Sequence, residues 1–176
     1  MLTWVRIAVV PLFVAVYYLP DVAVDILHKN IIATLIFIFA AFTDYLDGYL
    51  ARKLKQESLF GAFLDPVADK AIVAAALILL VHLDRTFVFA AIIIIVREIA
   101  ISALREWMAQ LGQTKSITVH FVGKLKTALQ FVAISLLLLD YHTNFIGNIL
   151  MILAVIITII SMFYYLKQTR KHFKNH

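Results

Sequence analysis

Four aspartates, Asp44, Asp47, Asp65 and Asp69, stand on two apolar runs separated by the polar break Lys53–Phe60. An aspartate at the centre of a membrane helix costs roughly 2.5–3.5 kcal/mol, so four on adjacent runs need a strong compensating partner. At about 100° per residue, Asp44, Asp47, Gly48, Ala51 and Arg52 share a helical arc of about 140°. On the next run Gly61, Asp65 and Asp69 fall within about 80° of one another. The break is short, which predicts an antiparallel hairpin. Reflection about its middle brings Asp44 level with Asp69 and Asp47 level with Asp65. Four clustered carboxylates repel unless cations or protons intervene. Oxygen ligands at this density suit Mg²⁺ or Mn²⁺, as one ion or as a pair about 3.5–4 Å apart. Such ions clamp a diphosphate and stabilise charge on a leaving phosphate. Arg52, one turn from Asp47 and Gly48, is placed to hold a phosphate oxygen, and Gly48 and Gly61 permit close approach of backbone and ligand. The pattern is one for phosphoryl-type transfer. The plainer alternative is that these acids pair with Lys or Arg, or face a polar vestibule.

The elements that must carry these residues are helices in a bilayer. Of 176 residues 63% are hydrophobic and 15% charged, with a mean hydropathy of +0.93; soluble domains average about 45–50% apolar residues. Six apolar runs meet the length needed to cross, about 20 residues: Leu2–Pro20, Ile31–Arg52, Gly61–Leu83, Thr86–Trp107, Phe121–Leu139 and Phe145–Leu166. Their Val and Ile content resembles that of buried strands, but runs of this length favour helices, whose backbone groups are satisfied internally in lipid. No linker divides the chain, which predicts a single all-α integral membrane domain over residues 1–176 with six transmembrane helices. The first run lacks a basic leader and a small-residue cleavage site and reads as a retained span. The absence of cysteine excludes disulfides, zinc–thiolate sites and a cysteine nucleophile. The net charge of +5 in so apolar a chain points to anionic lipid rather than nucleic acid.

Orientation follows from the basic residues. An inside N-terminus puts Arg52, Lys53, Lys55, Lys115, Lys167, Arg170, Lys171 and Lys174 on the cytoplasmic side, with only Lys29 and Arg85 opposite. Tyr17, Tyr18, Trp107, Tyr164 and Tyr165 read as interfacial aromatics near span ends, and His28, His82, His120 and His142 as ordinary interfacial residues.

The run from Asp44 to Asp69 fits D-x2-D-G-x2-A-R-x8-G-x3-D-x3-D at every fixed position. In this it resembles the CDP-alcohol phosphotransferases, whose signature that is. The resemblance implies a six-helix membrane fold, a homodimer, and an active site on the cytoplasmic side of a bacterial inner membrane. It implies that Asp44, Asp47, Asp65 and Asp69 hold the metals and that Asp69 is the catalytic base. It also implies that Gly48, Ala51, Arg52 and Gly61 shape the CDP pocket. Thr3 and Arg6 join that pocket or mark the membrane edge. Within the family, the chain resembles bacterial members that move a phosphatidyl group from CDP-diacylglycerol to sn-glycerol 3-phosphate. The resemblance runs through Leu2-Thr-x-x-Arg6, the segment Gly61–Lys70, Arg97–Trp107 and Gly123-Lys-x-Lys-Thr127. Relatives carry an Asn-Ile-Pro-Asn-like lead before Leu-Thr that is missing here, which a truncated start or another initiation site explains.

A phosphorylated acceptor calls for arginine or lysine. Arg97 and Arg105 are about 80° apart, two turns along one helix face, with Glu98 and Ser102 in the same sector. Bidentate contacts from both would orient a phosphate; the plainer alternative is that Arg105 snorkels to the interface beside Trp107. Lys124 and Lys126 point to nearly opposite sides of a helix, so one of them is expected in the acceptor site. Sister enzymes using inositol phosphate, serine or phosphatidylglycerol are the near alternatives. A divalent-cation transporter is the alternative from another class, but it would spread acids through the membrane depth and leaves Arg52 and Gly61 without a role.

Overall fold

The computed structural model describes residues 2–54, 59–110 and 121–173, all six of its elements being helices. They are α1 (Leu2–Tyr18), α2 (Ile26–Leu54), α3 (Leu59–His82), α4 (Val88–Gln110), α5 (Phe121–Leu139) and α6 (Asn144–Phe173). Each corresponds to one expected apolar run, with shifted edges. The second starts at Ile26 rather than Ile31, because the polar residues Lys29 and Asn30 are satisfied inside the bundle instead of forming a loop. Lys29 Nζ donates to the Leu19 carbonyl at 2.5 Å and to Asp21 at 2.6 Å, and the Tyr17 hydroxyl donates to Asn30 Oδ1 at 3.0 Å. The sixth continues from Leu166 to Phe173, since helical backbone bonding does not require an apolar side-chain run.

Among the described residues, Ile26–Thr43 and Asn144–Tyr165 are long and apolar enough to cross a membrane, and Ile7–Tyr18, Lys70–His82 and Leu125–Leu139 are shorter apolar stretches. Charges at Arg97, Glu98, Arg105 and Glu106 interrupt α4.

Helix α1 packs on α2 and α3; α4 packs on α3 and α6; α5 packs on α2, α3 and α6; and α2 touches α3. The core runs through Phe13, Phe37, Leu77, Leu80, Ile94, Ile134 and Leu137. The Phe37 ring stacks on Phe131 at 5.1 Å and tilts against Phe13 at 6.5 Å. Small residues let the helices approach: Ala33, Ala76, Ala133 and Ala154 are fully buried, and a Cβ on Gly147 would sit 2.8 Å from Leu137 Cγ.

One end of the bundle is closed by polar contacts. Asp84 follows α3 with φ 55°, and the Arg85 N–H returns to the Leu80 carbonyl at 2.9 Å. This is a left-handed helix cap of the kind an aspartate tolerates. It turns Arg85 inward, where Nη2 meets Asp140 at 3.0 Å and Nη1 donates to the Leu138 carbonyl at 3.0 Å. Asn148 on α6 donates to the Arg85 carbonyl at 3.2 Å. Lys29 and Arg85, the two cations that break the charge asymmetry, are thus both buried and matched by aspartates. Outside the bundle, Leu35, Phe39 and Phe42 on α2, Ile92, Val96 and Ile99 on α4, and Ile152, Ile156, Ile160 and Phe163 on α6 are exposed.

Candidate active site

The opposite end holds a cavity of about 950 Å³. Five helices wall it: Phe37 to Phe42 of α2, Lys70 to Val73 of α3, Arg97 to Arg105 of α4, Gly123 to Ile134 of α5, and Tyr165 of α6. Asp44 is one helical turn beyond the lining residues Ala40 and Ala41 along α2, and Asp69 directly precedes Lys70 on α3. The backbone of both aspartate-bearing helices therefore borders the cavity. The side chains of Asp44, Asp47, Asp65 and Asp69 lie outside those described, as do the surroundings of Gly48 and Gly61 and the side chains of Ala51, Arg52, Thr3, Arg6 and Lys124.

The cations expected to hold an acceptor phosphate are brought together. Arg97 and Arg105 both line the cavity, and their guanidinium carbons stand 5.8 Å and 5.7 Å from the centre of one ring, that of Tyr165. Cation–π attraction at such range contributes about 0.5–2 kcal/mol per pair, depending on desolvation. Arg105 Nη2 also donates to the Tyr165 hydroxyl at 3.4 Å. Arg97, 6% exposed, donates from Nη2 to Ser161 Oγ at 3.1 Å and from Nη1 to Glu98 at 3.5 Å. Lys126 is buried, and its ammonium pairs with the same Glu98. The expectation of one lysine at the acceptor site thus meets a Lys126 held just behind the cavity wall. Among the described residues there, Arg97 and Lys126 both pair with the carboxylate of Glu98, and Arg105 meets the Tyr165 hydroxyl beside them. That is a setting for an anion.

Tyr165 departs from its interfacial reading. It is 4% exposed, because it fills the gap between the two arginines instead of reaching a membrane surface. Ser161 and Tyr165 went unnoticed as site residues, although Thr158, Ser161 and Tyr165, spaced three and four apart, draw a polar stripe along an apolar helix. Gln130 also escaped notice. It lines the cavity one turn beyond Lys126 on α5, and among the described residues its buried Oε1 has no hydrogen-bond partner, nor has Arg97 Nε. A buried acceptor left without a donor costs about 1–3 kcal/mol.

A divalent ion fits the chemistry of the donor set. Hard carboxylate oxygens on two touching helices, α2 and α3, suit Mg²⁺ or Mn²⁺.

The chain is 51% identical over 170 residues to the CDP-diacylglycerol–glycerol-3-phosphate 3-phosphatidyltransferase of Haemophilus influenzae, covering 94% of this chain and 89% of that protein. It is 45% identical over 174 residues to the protein of the same name from Pectobacterium atrosepticum, covering 97% and 93%. The one from Shigella flexneri is 44% identical over the same length and coverage. A family profile described as CDP-alcohol phosphatidyltransferase matches residues 1–160, and the chain belongs to that family.

Proposed function

We propose that this chain transfers a phosphatidyl group from CDP-diacylglycerol to sn-glycerol 3-phosphate, giving phosphatidylglycerophosphate and CMP. The observation that carries the reading is the pair Arg97 and Arg105, stacked on Tyr165 in the wall of the cavity that α2 and α3 border. The names of relatives matched over nearly the whole chain support it.

In this reading Arg97 and Arg105 take the acceptor phosphate, with Lys126 adding charge from behind; Lys124 is the alternative lysine. Gly48, Ala51, Arg52 and Gly61 form the CDP pocket, joined by Thr3 and Arg6. Asp44, Asp47, Asp65 and Asp69 would hold one or two divalent ions, Mg²⁺ or Mn²⁺, which when bound neutralise the diphosphate and the leaving phosphate. Asp69 accepts the proton of the acceptor 1-hydroxyl. The freed oxygen attacks the phosphorus that bears diacylglycerol, and the bond from that phosphorus to the CMP oxygen breaks. Positioning and electrostatic stabilisation supply most of the acceleration.

All six helices cross the bilayer as one domain, with the cavity facing the cytoplasm of a bacterial inner membrane, and the chain works as a homodimer. The exposed apolar stripes on α2, α4 and α6 support burial in lipid, since soluble monomers rarely expose such continuous patches. Family resemblance supports the dimer.

The test is CMP release by the purified full chain in lipid, with CDP-diacylglycerol and a panel of alcohols. Release is expected with sn-glycerol 3-phosphate, not with serine or inositol 1-phosphate, and EDTA is expected to abolish it until Mg²⁺ or Mn²⁺ is restored. Release with serine alone would refute the acceptor, and full release in EDTA would refute the metal.

A further inference from the structure

Gln130 is a polar group of the cavity that the reaction as described leaves without a role. It is 5% exposed, it lines the cavity, and among the described residues its Oε1 accepts no hydrogen bond. Lys126 and Gln130 are four apart on α5, so they occupy one face of that helix. A leucine there would fill the same space without leaving an amide oxygen unmatched. The terminal torsion of a glutamine is broad, so its amide can turn the oxygen into the cavity.

An unmatched oxygen needs a donor, and this requirement narrows the ligand. Phosphate oxygens only accept when ionised, so neither the acceptor phosphate nor the diphosphate can answer it. The polar groups of glycerol 3-phosphate divide accordingly. Its phosphate goes to the arginines, and its 1-hydroxyl gives its proton to the base. The 2-hydroxyl is left, and it is a donor.

We infer that Gln130 is a specificity-determining residue whose amide oxygen accepts a hydrogen bond from the non-reacting 2-hydroxyl of the acceptor. This rests on the acceptor assignment made above. A site built to hydrogen-bond a substrate hydroxyl discriminates strongly against the analogue that lacks it, because the protein group is then left unmatched.

The experiment compares sn-glycerol 3-phosphate with 3-hydroxypropyl phosphate, which keeps the reacting hydroxyl and the phosphate but lacks the 2-hydroxyl. CMP release by the full chain in lipid gives kcat/KM for each. Wild type is expected to favour glycerol 3-phosphate by about tenfold or more. Gln130→Leu should bring the ratio to within about twofold of unity, mainly by losing activity with glycerol 3-phosphate. Gln130→Glu, which keeps an acceptor oxygen, should weaken both substrates through charge but preserve their ratio. Gln130→Met serves the same purpose as leucine if that variant does not fold. An unchanged ratio in the leucine or methionine variant overturns the inference while leaving the acceptor assignment intact. A Gln130→Leu effect confined to the KM for CDP-diacylglycerol also overturns it, since the donor would then lie on the nucleotide. Wild-type protein that uses neither acceptor removes the acceptor assignment and the inference together.

Discussion

Lys126 keeps 1% of its side-chain surface exposed and pairs with Glu98, which keeps 27%. A cation so enclosed is tolerable because the carboxylate faces it, and removing one partner leaves the other charge uncompensated. Glu98→Gln should therefore destabilise the protein by about 3 kcal/mol, the lower end of the range for a broken buried pair, because Glu98 is itself partly solvated. Pairing it with Lys126→Met should recover most of that loss, as coupled neighbours do in a double-mutant cycle. Thermal unfolding in detergent measures both, and equal losses in the single and double variants would show that the loss does not come from an uncompensated Lys126. Asp69 poses a different question, one of chemistry. Asn keeps its size and removes the basic oxygen, so Asp69→Asn should abolish CMP release while leaving the unfolding midpoint near wild type. Near wild-type release would take the base role away from Asp69.

Helix α6 braces Arg97 and Arg105. Its Ser161 accepts from Arg97, and its Tyr165 ring meets both guanidinium groups. The arginines sit on α4, whose packing against α6 makes these contacts possible. Replacing Tyr165 by leucine removes both cation–π contacts and the Arg105 hydrogen bond. A loss of about 1.4 kcal/mol in positioning corresponds to about tenfold in the apparent KM for glycerol 3-phosphate. Tyr165→Leu should raise that KM by about tenfold while kcat and the KM for CDP-diacylglycerol change little, and Tyr165→Phe should keep most of the affinity. Acceptor titrations of the three proteins decide it; a drop in kcat at unchanged KM would assign Tyr165 elsewhere. The face shared by Arg97 and Arg105 was legible in their eight-residue spacing, because a single helix fixes it. The partnership with α6 was not, because Arg97 and Ser161 are 64 residues apart and helical periodicity says nothing about which face meets which. The same gap explains the start of α2. Lys29 and Asn30 look like loop residues until Asp21, the Leu19 carbonyl and Tyr17 are seen to satisfy them.

The two ends of the bundle differ in their basic residues, and this difference carries the topology. At one end each buried cation has its own acid, Lys29 with Asp21 and Arg85 with Asp140. At the other, Arg97 and Lys126 pair with Glu98, and Arg97 and Arg105 meet the Tyr165 ring. Lys and Arg near span ends stay on the cytoplasmic side of a bacterial membrane, and the cavity-side ends of α2 and α6 carry Arg52, Lys53, Lys167, Arg170 and Lys171. The cavity end should thus face the cytoplasm, where a soluble phosphorylated acceptor would reach it. The chain contains no cysteine, so single cysteines report position without background. Tyr141, 64% exposed between α5 and α6, lies at the neutralised end, and the exposed Lys167 on α6 lies beyond Tyr165 at the other. In intact spheroplasts a membrane-impermeant maleimide should label Tyr141→Cys and leave Lys167→Cys unlabelled until the membrane is permeabilised. The reverse pattern would place the cavity outside, away from any cytoplasmic acceptor, and labelling of both positions without permeabilisation would mean that α6 does not span.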